Sequence, residues 1–561
     1  MPTLNLNPKG NKHGQTKLNV MRQFLFMMQN LKDWDFIENQ GAKDTVQSLV
    51  NRWRWKSLEG SIIADSARHW PERTAVIDDA GELTYSELWE NSNRLARALK
   101  RRGVKPGDNV AVLALNSRYT LYPMCARHLI GFNTILINGN SSPAQIERIL
   151  NFHEIKYFIL DDEFYESVKD FDLQCELIIG YNGTAGVNTD GLPTVDGIIS
   201  EARVTDKIPL KPQSSQLVIM TSGTTGLPKG VIRRNPKSPQ TLAPVLAAVP
   251  WRQNLTVMVT AVLFHGFGIL NTLLGFLSGS TLVLRRHFDP KQSFDDIERY
   301  NINAMATAAS RIRALLAYKD ENKMTDVNQM EFIFSSGSPL TPTEIDRTND
   351  FFGRCLCTMY GSSESVALAS ASAEELDDDH TLSGIIYPGI TIEIRDDEGN
   401  NLPEGKVGNI WAAEYDMCVG YTDEEIKIPH DDRGLMPMGD EGYIENGNRL
   451  HVLGRADDLI ITQYAEKIFP QQIVSTLETN PRIDTAYVHG VEDAQYGQAI
   501  RAYIIREEGS TISADEVKKY VKDELSDAHE PRDVFFVDEF PRNPMGKVMK
   551  RYLPGKSTVD E

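Results

Sequence analysis

The stretch Thr221-Ser-Gly-Thr-Thr-Gly-Leu-Pro-Lys-Gly230 is the most informative part of the sequence. The run before it, Gln216-Leu-Val-Ile-Met220, is apolar and predicts a short buried strand. The glycines therefore fall where the chain leaves a sheet, and there backbone N–H groups can turn toward an anion. The hydroxyls and the single lysine suit a loop that wraps a polyphosphate. A Ser/Thr/Gly-rich surface turn is the alternative for such a composition.

This loop matches neither of the two common phosphate-binding patterns. It lacks GxxxxGK followed by Ser or Thr, and it has no GxGxxG run, which disfavours a P-loop NTPase or a Rossmann dehydrogenase. The loop instead resembles the signature of the adenylate-forming superfamily, which contains acyl-CoA synthetases, peptide-synthetase adenylation domains and beetle luciferases. The resemblance implies an ATP site whose members here are Thr221, Ser222, Gly223, Thr224, Thr225, Gly226 and Lys229.

Composition and charge narrow the class of protein. The chain has 561 residues, of which 41% are hydrophobic and 24% charged, so it has the profile of a soluble globular protein with at least two folding units. Its net charge of −19 argues against a nucleic-acid partner, because phosphate backbones require basic surfaces. Five cysteines in a chain of this length do not indicate a disulfide framework and favour a reducing cytoplasm.

The N-terminal sequence indicates no secretory signal. MPTLNLNPKGNKHGQTK has neither an apolar core nor a small-residue cleavage site. The apolar run Val20–Met28 is only about half as long as the roughly 20 residues that span a bilayer. An amphipathic helix packed on the body is the favoured interpretation, and peripheral contact with a membrane or another protein is the alternative. We expect a cytoplasmic protein, and the sequence predicts no oligomeric state.

Alternating helix and strand patterns predict an α/β body with largely parallel sheets. Tyr85–Leu99 has a helical pattern and Asn109–Leu115 is an apolar strand. From about residue 388 the sequence becomes rich in strands, with turns such as Asp396–Asn400. The last hundred residues predict a separate α+β unit, whose helix begins at the capping box Ser513-Ala-Asp-Glu516.

The resemblance also implies how these parts are organised. It implies a large N-terminal domain of layered α/β sheets with a distorted β-barrel subdomain, and a small mobile α+β C-terminal domain. We expect an N-terminal helical extension over residues 1–55, the large domain over 56–453, a hinge over 454–458 and the C-terminal domain over 459–561. Asp457 corresponds to the family's hinge residue, and an exposed Asp tolerates the backbone rotation that a hinge requires.

Tyr360-Gly-Ser-Ser-Glu364 follows another apolar strand. An aromatic ring, two hydroxyls and a carboxylate thus emerge together at a strand end, where open sheets bind ligands. The resemblance implies that Tyr360 lies on adenine and that Glu364 holds Mg²⁺, which prefers one or two carboxylates plus phosphate oxygens. It also implies ATP contacts from Gly361, Ser362 and Ser363, the last of which replaces a Thr. A solvated glutamate is the alternative for Glu364.

Two further segments resemble the parts of the superfamily that bind the nucleoside. Gly337, Ser338 and Pro339 match the adenine-contacting turn, where small residues let the backbone pass close to the base. Asp440 matches an aspartate that accepts hydrogen bonds from both ribose hydroxyls, and Arg455 matches a second ribose contact. Met438 stands where the family has Thr.

The C-terminal part contains two segments that correspond to the two half-reactions of the superfamily. Lys547, in Pro541-Arg-Asn-Pro-Met-Gly-Lys547, resembles the catalytic lysine that meets the carboxylate and the α-phosphate during adenylation. A charged tail is the alternative interpretation. Ala465 stands where the family has a glycine beside the pantetheine tunnel for CoA, and the surrounding stretch is one residue longer than the pattern.

Phe264-His-Gly-Phe-Gly268 leads into the strongly apolar run Ile269–Leu277. The resemblance places His265 in a catalytic position at an acyl pocket that Phe267, Gly268 and Leu273 also line, and the apolar run suits an alkyl chain. A lone His on an apolar segment is otherwise more often a satisfied core residue.

The resemblance covers roughly residues 60 to 555 and implies a two-step ligase that uses ATP, Mg²⁺ and CoA. We expect activation of a medium- or long-chain fatty acid to acyl-AMP, followed by transfer to CoA, as in bacterial fatty acyl-CoA synthetases. The alternatives are an acyl-AMP ligase that loads a carrier protein, an aryl-CoA ligase, and a nucleotide-binding sensor or scaffold without turnover.

Overall fold

The computed structural model describes residues 26, 50–51, 53–55, 57–172, 174–189, 191–203, 205, 207–221, 229–233, 242–414, 417–423, 425–461, 467–493, 497–542 and 548–555. No helix in these ranges combines the length and the apolar character that crossing a membrane would require. The expected N-terminal extension over 1–55 lies almost entirely outside the described residues.

The larger of the two main sheets forms the middle of the body. In the described residues it has thirteen strands in the spatial order β16-β17-β19-β20-β15-β14-β13-β12-β11-β9-β10-β1-β2. The strands are β1 Thr74–Asp78, β2 Gly81–Thr84, β9 Thr256–Val259, β10 Thr281–Val283, β11 Ala304–Ala308, β12 Phe332–Ser336, β13 Leu356–Tyr360, β14 Ala369–Ala371, β15 Gly384–Ile385, β16 Thr391–Arg395, β17 Gly408–Ala413, β19 Met436–Glu445 and β20 Arg449–Arg455. The pairs from β1 through β10, β9, β11 and β12 to β13 are parallel, as the alternating pattern predicts.

The second sheet has seven strands within the described part of the chain, in the order β18-β8-β7-β4-β3-β5-β6. They are β3 Asn109–Leu113, β4 Asn133–Leu136, β5 Tyr157–Leu160, β6 Glu176–Ile179, β7 Leu217–Thr221, β8 Lys229–Arg233 and β18 Gly420–Tyr421. The pairs among β3 to β7 are parallel, whereas β8 pairs antiparallel with both β7 and β18.

Helices cover the sheets. They are α1 Leu58–His69, α2 Tyr85–Arg101, α3 Arg118–Ile130, α4 Pro143–Phe152, α5 Tyr165–Val168, α6 Val195–Ser200, α7 Ala243–Ala248, α8 Gly266–Leu277, α9 Pro290–Arg299, α10 Ala309–Asn322, α11 Pro342–Phe352, α12 Ala373–Asp378, α13 Pro470–Glu478 and α14 Ala514–Glu524. The predicted helix at Tyr85 is confirmed, and Thr84 and Glu87 form a capping box at its start.

One hydrophobic core joins the facing sides of the two sheets. It contains side chains from both sheets, such as Val257 and Val110, together with residues of α1, α2, α3 and α8. Helix α8 packs inside this layer, which explains why its sequence is apolar almost all round. Two further clusters lie on the outer faces, one under α9, α10 and α11 and one under α4. The layered α/β class is therefore confirmed.

The strand-rich region after residue 384 does not form a separate closed barrel within the described residues. Strands β15, β16, β17, β19 and β20 instead extend the large sheet as antiparallel neighbours, because β14 and β15 pair and carry the hydrogen-bond ladder across. The expectation of a distorted β-barrel is corrected to an open, mixed sheet.

The C-terminal α+β unit has its own core. Strands β23 Ile483–Asp493, β24 Gly497–Arg506 and β25 Asp533–Phe536 form a sheet that packs against α13 and α14. The predicted capping box of Ser513 and Glu516 is present at the start of α14. Two short strands, β21 Ile460–Ile461 and β22 Lys467–Ile468, form a hairpin just after β20.

Candidate active site

The signature loop leaves β7 at Thr221 and returns at Lys229, the first residue of β8. Thr221 and Lys229 are antiparallel partners, so the loop between them begins and ends at one point on the sheet. The expected phosphate contacts Ser222, Gly223, Thr224, Thr225 and Gly226 lie outside the described residues. The Lys229 ammonium lies 5.6 Å from the centroid of the Tyr421 ring.

Tyr360 ends β13 of the large sheet, as the sequence predicts for a residue at a strand terminus. Gly361 follows it, and a Cβ at Gly361 would stand 2.3 Å from the carbonyl oxygen of Val366, so a side chain there has no room. The Ser362 hydroxyl then accepts hydrogen bonds from the backbone N–H groups of Glu364 and Ser365, each at 3.2 Å. These contacts fold Tyr360–Ser365 into a compact turn.

Hydrogen bonds hold both the side chain and the backbone of Glu364. Its carboxylate Oε1 accepts a hydrogen bond from the Tyr421 hydroxyl at 2.8 Å, and its backbone carbonyl accepts one from the N–H of Cys418 at 2.7 Å. The Arg233 guanidinium donates to the carbonyl of Ser363 at 2.8 Å. Strand β8, which carries the end of the signature loop, is thus tied to the Glu364 turn. A carboxylate with neighbouring hydroxyls is a donor set that fits Mg²⁺ once phosphate oxygens complete the coordination.

Sequence reasoning missed Tyr421. It belongs to β18, which is only two residues long and pairs with β8 through Gly420↔Ile232 and Tyr421↔Val231. Two residues carry no periodicity, and their partner lies about 190 residues earlier in the chain, so no local signal predicts the pairing. The only feature of the sequence that marks β18 is the Gly-Tyr dipeptide, which follows an apolar run.

Asp440 and Arg455 face each other on the neighbouring strands β19 and β20. Asp440 accepts a hydrogen bond from the Tyr360 hydroxyl at 2.6 Å and one from Arg455 at 3.3 Å. Burial raises the pKa of Asp440, and burial together with the charge of Asp440 raises the pKa of Tyr360 well above its ordinary value. The predicted adenine and ribose residues are therefore in direct contact. Met438 is buried beneath them in the core.

Gly337, Ser338 and Pro339 follow β12 and are exposed beside the end of β13. Gly337 has a φ of +95°, a left-handed conformation that favours glycine. The hydroxyl of Ser336 donates to the carbonyl of Met359 at 2.9 Å, which fixes the two strand ends together. The Arg313 guanidinium donates to the carbonyl of Pro339 at 3.1 Å. We call Gly337–Pro339 the base turn.

His265 precedes α8 and is largely buried against Phe264, with ring centroids 4.8 Å apart. Burial lowers the pKa of its imidazole to about 4, so the ring is neutral at pH 7. Phe267 packs against Phe334 of β12 with ring centroids 4.9 Å apart. A Cβ at Gly268 would stand 2.3 Å from the carbonyl oxygen of Val262, so α8 begins in close contact with the preceding turn.

Leu273 lies on another face of α8 than Phe267. Six residues at 100° each separate the two by about 120° around the helix axis. Leu273 lines a small cavity between α8, α1 and α3. The wall of this cavity includes Glu59 and His128, and Glu59 pairs with the buried Arg127. Burial opposes ionisation of Glu59, but Arg127 and His128 lower its pKa to about 2. Sequence reasoning missed this network, because its members lie almost 70 residues apart.

A second small cavity lies where β9 and β10 end. It adjoins the His265 turn through Val262, whose carbonyl accepts a hydrogen bond from the N–H of His265 at 3.1 Å. Arg286 and Arg311 contribute to its walls, and the Arg311 guanidinium lies 4.5 Å from the centroid of the Phe288 ring. The cavity wall therefore combines apolar side chains with arginines, of which Arg286 is already paired with Glu163 at 2.7 Å.

The remaining predicted residues lie in or near the C-terminal unit. Asp457 is exposed in a short 3₁₀ turn, Ala456–Asp458, directly after β20. The next residue, Asp458, pairs with Lys550 at 3.0 Å. Ala465 and Lys547 lie outside the described residues.

Comparison with known proteins gives a consistent picture. Residues 63–422 match the AMP-binding enzyme family, and residues 473–547 match the AMP-binding enzyme C-terminal domain. A fatty acid–acyl-carrier-protein ligase from Streptomyces coeruleorubidus is 27% identical over 503 residues, which cover 87% of this chain and 94% of that protein. A 2-succinylbenzoate–CoA ligase from Bacillus subtilis is 26% identical over 495 residues, covering 86% and 95%. The crystal structure of a benzoate CoA ligase from Burkholderia xenovorans has the same fold, with a TM-score of 0.77 at 22% identity over 88% of this chain and 99% of that one.

Proposed function

The chain belongs to the AMP-binding enzyme family, and on that premise we propose that it activates a medium- or long-chain fatty acid and transfers the acyl group to CoA. As an adenylate-forming ligase it joins a carboxylic acid to a thiol with ATP and Mg²⁺. The observation that carries the choice of acid is α8, where a neutral, buried His265 is followed by apolar side chains. An alkyl chain is the acid substituent that such a surface stabilises best.

The first step needs positioning and charge neutralisation more than covalent chemistry from the protein. We propose that Tyr360 and the base turn hold adenine and that Asp440 accepts hydrogen bonds from the ribose. The substrate carboxylate then attacks the α-phosphorus, a C–O–P bond forms, and the bond to pyrophosphate breaks. Mg²⁺, when bound by Glu364 and the phosphates, supplies positive charge. We assign Lys547 to the α-phosphate and carboxylate oxygens.

In the second step the thiol attacks the acyl carbon, AMP leaves, and the thiol proton passes to solvent. We propose that the C-terminal unit turns about Asp457 between the steps, so that Lys547 leaves and the segment at Ala465 approaches. The similarity to CoA ligases, such as the 2-succinylbenzoate–CoA ligase from Bacillus subtilis, supports CoA as the acceptor. We assign His265, whose pKa is lowered by burial, to shaping the pocket rather than to carrying charge.

A substrate panel tests this proposal. Fatty acids of increasing length and aromatic acids are incubated with ATP, Mg²⁺ and either CoA or an acyl carrier protein, and thioester formation is measured. Fatty acids with CoA should give the highest kcat/KM. Faster transfer to carrier protein would favour the activity named for the Streptomyces relative, and a preference for aromatic acids would favour an aryl-CoA ligase. Absence of ATP–pyrophosphate exchange with every acid would refute adenylation itself.

A further inference from the structure

The C-terminal unit meets the large domain through a cluster of four charged residues. Arg313 of α10 and Glu344 of α11 belong to the large domain, whereas Glu478 of α13 and Arg542 belong to the C-terminal unit. Helices α11 and α13 are in contact, and the Thr343 hydroxyl donates to the backbone carbonyl of Glu478 at 3.4 Å. We call these four residues the interface charge cluster.

On the large-domain side the charges are already matched. Arg313 binds Glu344 with two nitrogens, one of them at 3.0 Å from Oε2. Glu344 also accepts the backbone N–H of Thr341 at 2.7 Å, which completes the capping box of α11. The same Arg313 guanidinium donates to Pro339 of the base turn. The pair therefore connects the nucleotide-binding turn to the surface on which the C-terminal unit rests.

Glu478 brings a second carboxyl group to this place. Its residue is only 8% exposed, so its ionisation depends on the partners that the protein supplies. Its Oε1 accepts the backbone N–H of Ala486 in β23 at 3.2 Å, while its Oε2 is buried and makes no hydrogen bond of ordinary geometry within the described residues. The nearby Thr341 hydroxyl opposes the rise in the pKa of this carboxyl group but does not outweigh burial. The charged groups that act on it are Glu344 from α11 and Arg313 from α10, and its charge in turn acts on Arg542.

An ionised Glu478 would be poorly accommodated in the docked arrangement. Arg313 is engaged by Glu344, and a buried carboxylate oxygen without a partner loses its hydration. Burial first, and then the charge of Glu344, raise the pKa of Glu478 to about 7. Protonation removes the repulsion and gives Oε2 a hydrogen to donate. Once α13 leaves α11, water reaches the carboxyl group and its pKa returns toward the ordinary value of 4.5.

We propose that Glu478 is a positioning residue that takes up a proton when the C-terminal unit docks on the base turn and releases it when the unit swings away. Arg542 lies five residues before Lys547 in the sequence, and its charge interacts with that of Arg313, which donates to Pro339 of the base turn. Docking in this orientation therefore favours adenylation. This role rests on the proposed function, in which the same unit must undock for thioester formation.

The sign of the pH effect follows from the raised pKa of Glu478 in the docked state. Docking is strongest below the free-state value of 4.5 and weakens as pH rises until it levels off above about 7. One proton linked in this way reduces the docking constant about tenfold between pH 6 and pH 8. Glu478→Gln keeps the shape of the side chain and is neutral at every pH. The C-terminal unit of this variant should therefore dock equally well at pH 6 and pH 8.

Amide hydrogen exchange of α11 and α13 tests the proposal without requiring turnover. Protection is measured by mass spectrometry at pH 6 and pH 8, with labelling times scaled for the intrinsic exchange rate. Wild-type protein should lose about tenfold in protection of both helices between pH 6 and pH 8, whereas Glu478→Gln should show no such loss. Glu478→Leu, also neutral, serves as a second variant should the first fold poorly. Glu508→Gln, an exposed carboxyl group of the same unit, is the matched control and should behave as wild type.

Activity provides a second, separable readout. The ratio of ATP–pyrophosphate exchange to thioester formation from preformed acyl-AMP should fall more steeply with pH in the wild type than in Glu478→Gln, because the rise in CoA thiolate with pH affects both proteins equally. Equal pH dependence of protection in wild type and Glu478→Gln overturns the proposal. Absence of ATP–pyrophosphate exchange, together with pH-dependent hydrogen-exchange protection of α11 and α13, would refute the proposed function and leave the role of Glu478 supported.

Discussion

Tyr421→Phe tests whether the phosphate loop and the metal-binding turn act together. The substitution deletes one oxygen, the hydroxyl that donates to Glu364 Oε1 at 2.8 Å. It keeps the ring that lies beside Lys229 and leaves the backbone pairing of β18 with β8 in place. Any change in activity therefore reports on the orientation of the Glu364 carboxylate.

The expected magnitude follows from the contact and its environment. A hydrogen bond to a charged group contributes about 1.5–3 kcal/mol, and removing a partner that orients a metal-binding carboxylate reduces metal affinity or activity about 10–100-fold. Tyr421 and Glu364 are both half-buried, so water can partly replace the lost hydroxyl and the lower end applies. We expect the Mg²⁺ concentration for half-maximal activity to rise about tenfold, equivalent to about 1.4 kcal/mol.

The assay is ATP–pyrophosphate exchange with a fatty acid, titrated with Mg²⁺ at fixed ATP. Tyr165→Phe, the same deletion in a half-buried tyrosine of α5 on the flank of the second sheet, is the control. Glu364→Gln should raise the requirement further. An unchanged Mg²⁺ requirement in Tyr421→Phe, together with a raised one in Glu364→Gln, would refute the positioning role of Tyr421. No change in either variant would remove Glu364 from the metal site.

The other substitutions address separate parts of the site. Lys547→Ala should abolish ATP–pyrophosphate exchange and retain thioester formation from preformed acyl-AMP, and retained exchange would contradict its assignment. Asp440→Asn should raise the KM for ATP about tenfold or more, since it removes the charge that strengthens the ribose hydrogen bonds, and an unchanged KM would count against ribose binding there. Gly361→Ala should lower the free energy of unfolding by about 1–3 kcal/mol or more in a denaturant titration, because the added Cβ would stand 2.3 Å from a backbone oxygen. Phe267→Ala should shift the preferred length of the fatty acid. Leu273→Ala should lower the Tm and leave the preferred length unchanged. A changed length preference in Leu273→Ala but not in Phe267→Ala would place the acyl chain in the Leu273 cavity.

The parts of the fold that depend on local pattern were predictable. Apolar runs bounded by glycine and polar residues indicated β7 and β13, and the residues just beyond these strands were expected to converge on a ligand. The structure brings Tyr360 and Asp440 into contact at 2.6 Å although 80 residues separate them and β14, β15 and β20 lie between β13 and β19 in the sheet. A flat sheet would hold strands with this spacing about 19 Å apart, so the sheet curls to bring the two residues together. The order of these residues in the sequence does not predict the distance between them. The rule that ligands bind at strand ends nevertheless predicts that both contribute to one site.

The parts that depend on pairing between distant segments were not predictable. Strand β18 is too short to carry a pattern, and Arg313 lies on the first turns of a helix where nothing local indicates a contact with Pro339. The strand-rich region was expected to close on itself. It continues the large sheet instead, because β14 and β15 offer a free ladder edge, and edge pairing is decided by neighbours rather than by composition.

The nucleotide-binding residues and the interface with the C-terminal unit differ in how firmly their side chains are held, and this difference follows from what each part does. Tyr360, Glu364 and Asp440 are fixed by hydrogen bonds to neighbouring strands, so the nucleotide meets groups that need little reorganisation. The C-terminal unit brings to its interface with the large domain a buried carboxyl oxygen, Glu478 Oε2, that has no hydrogen-bond partner among the described residues, and such a group costs about 1–3 kcal/mol. A core contact with that defect would be a weakness. At an interface that has to open once in each catalytic cycle, the same cost keeps the docked and released states close in free energy, so that protons and ligands of ordinary affinity can shift the unit between them.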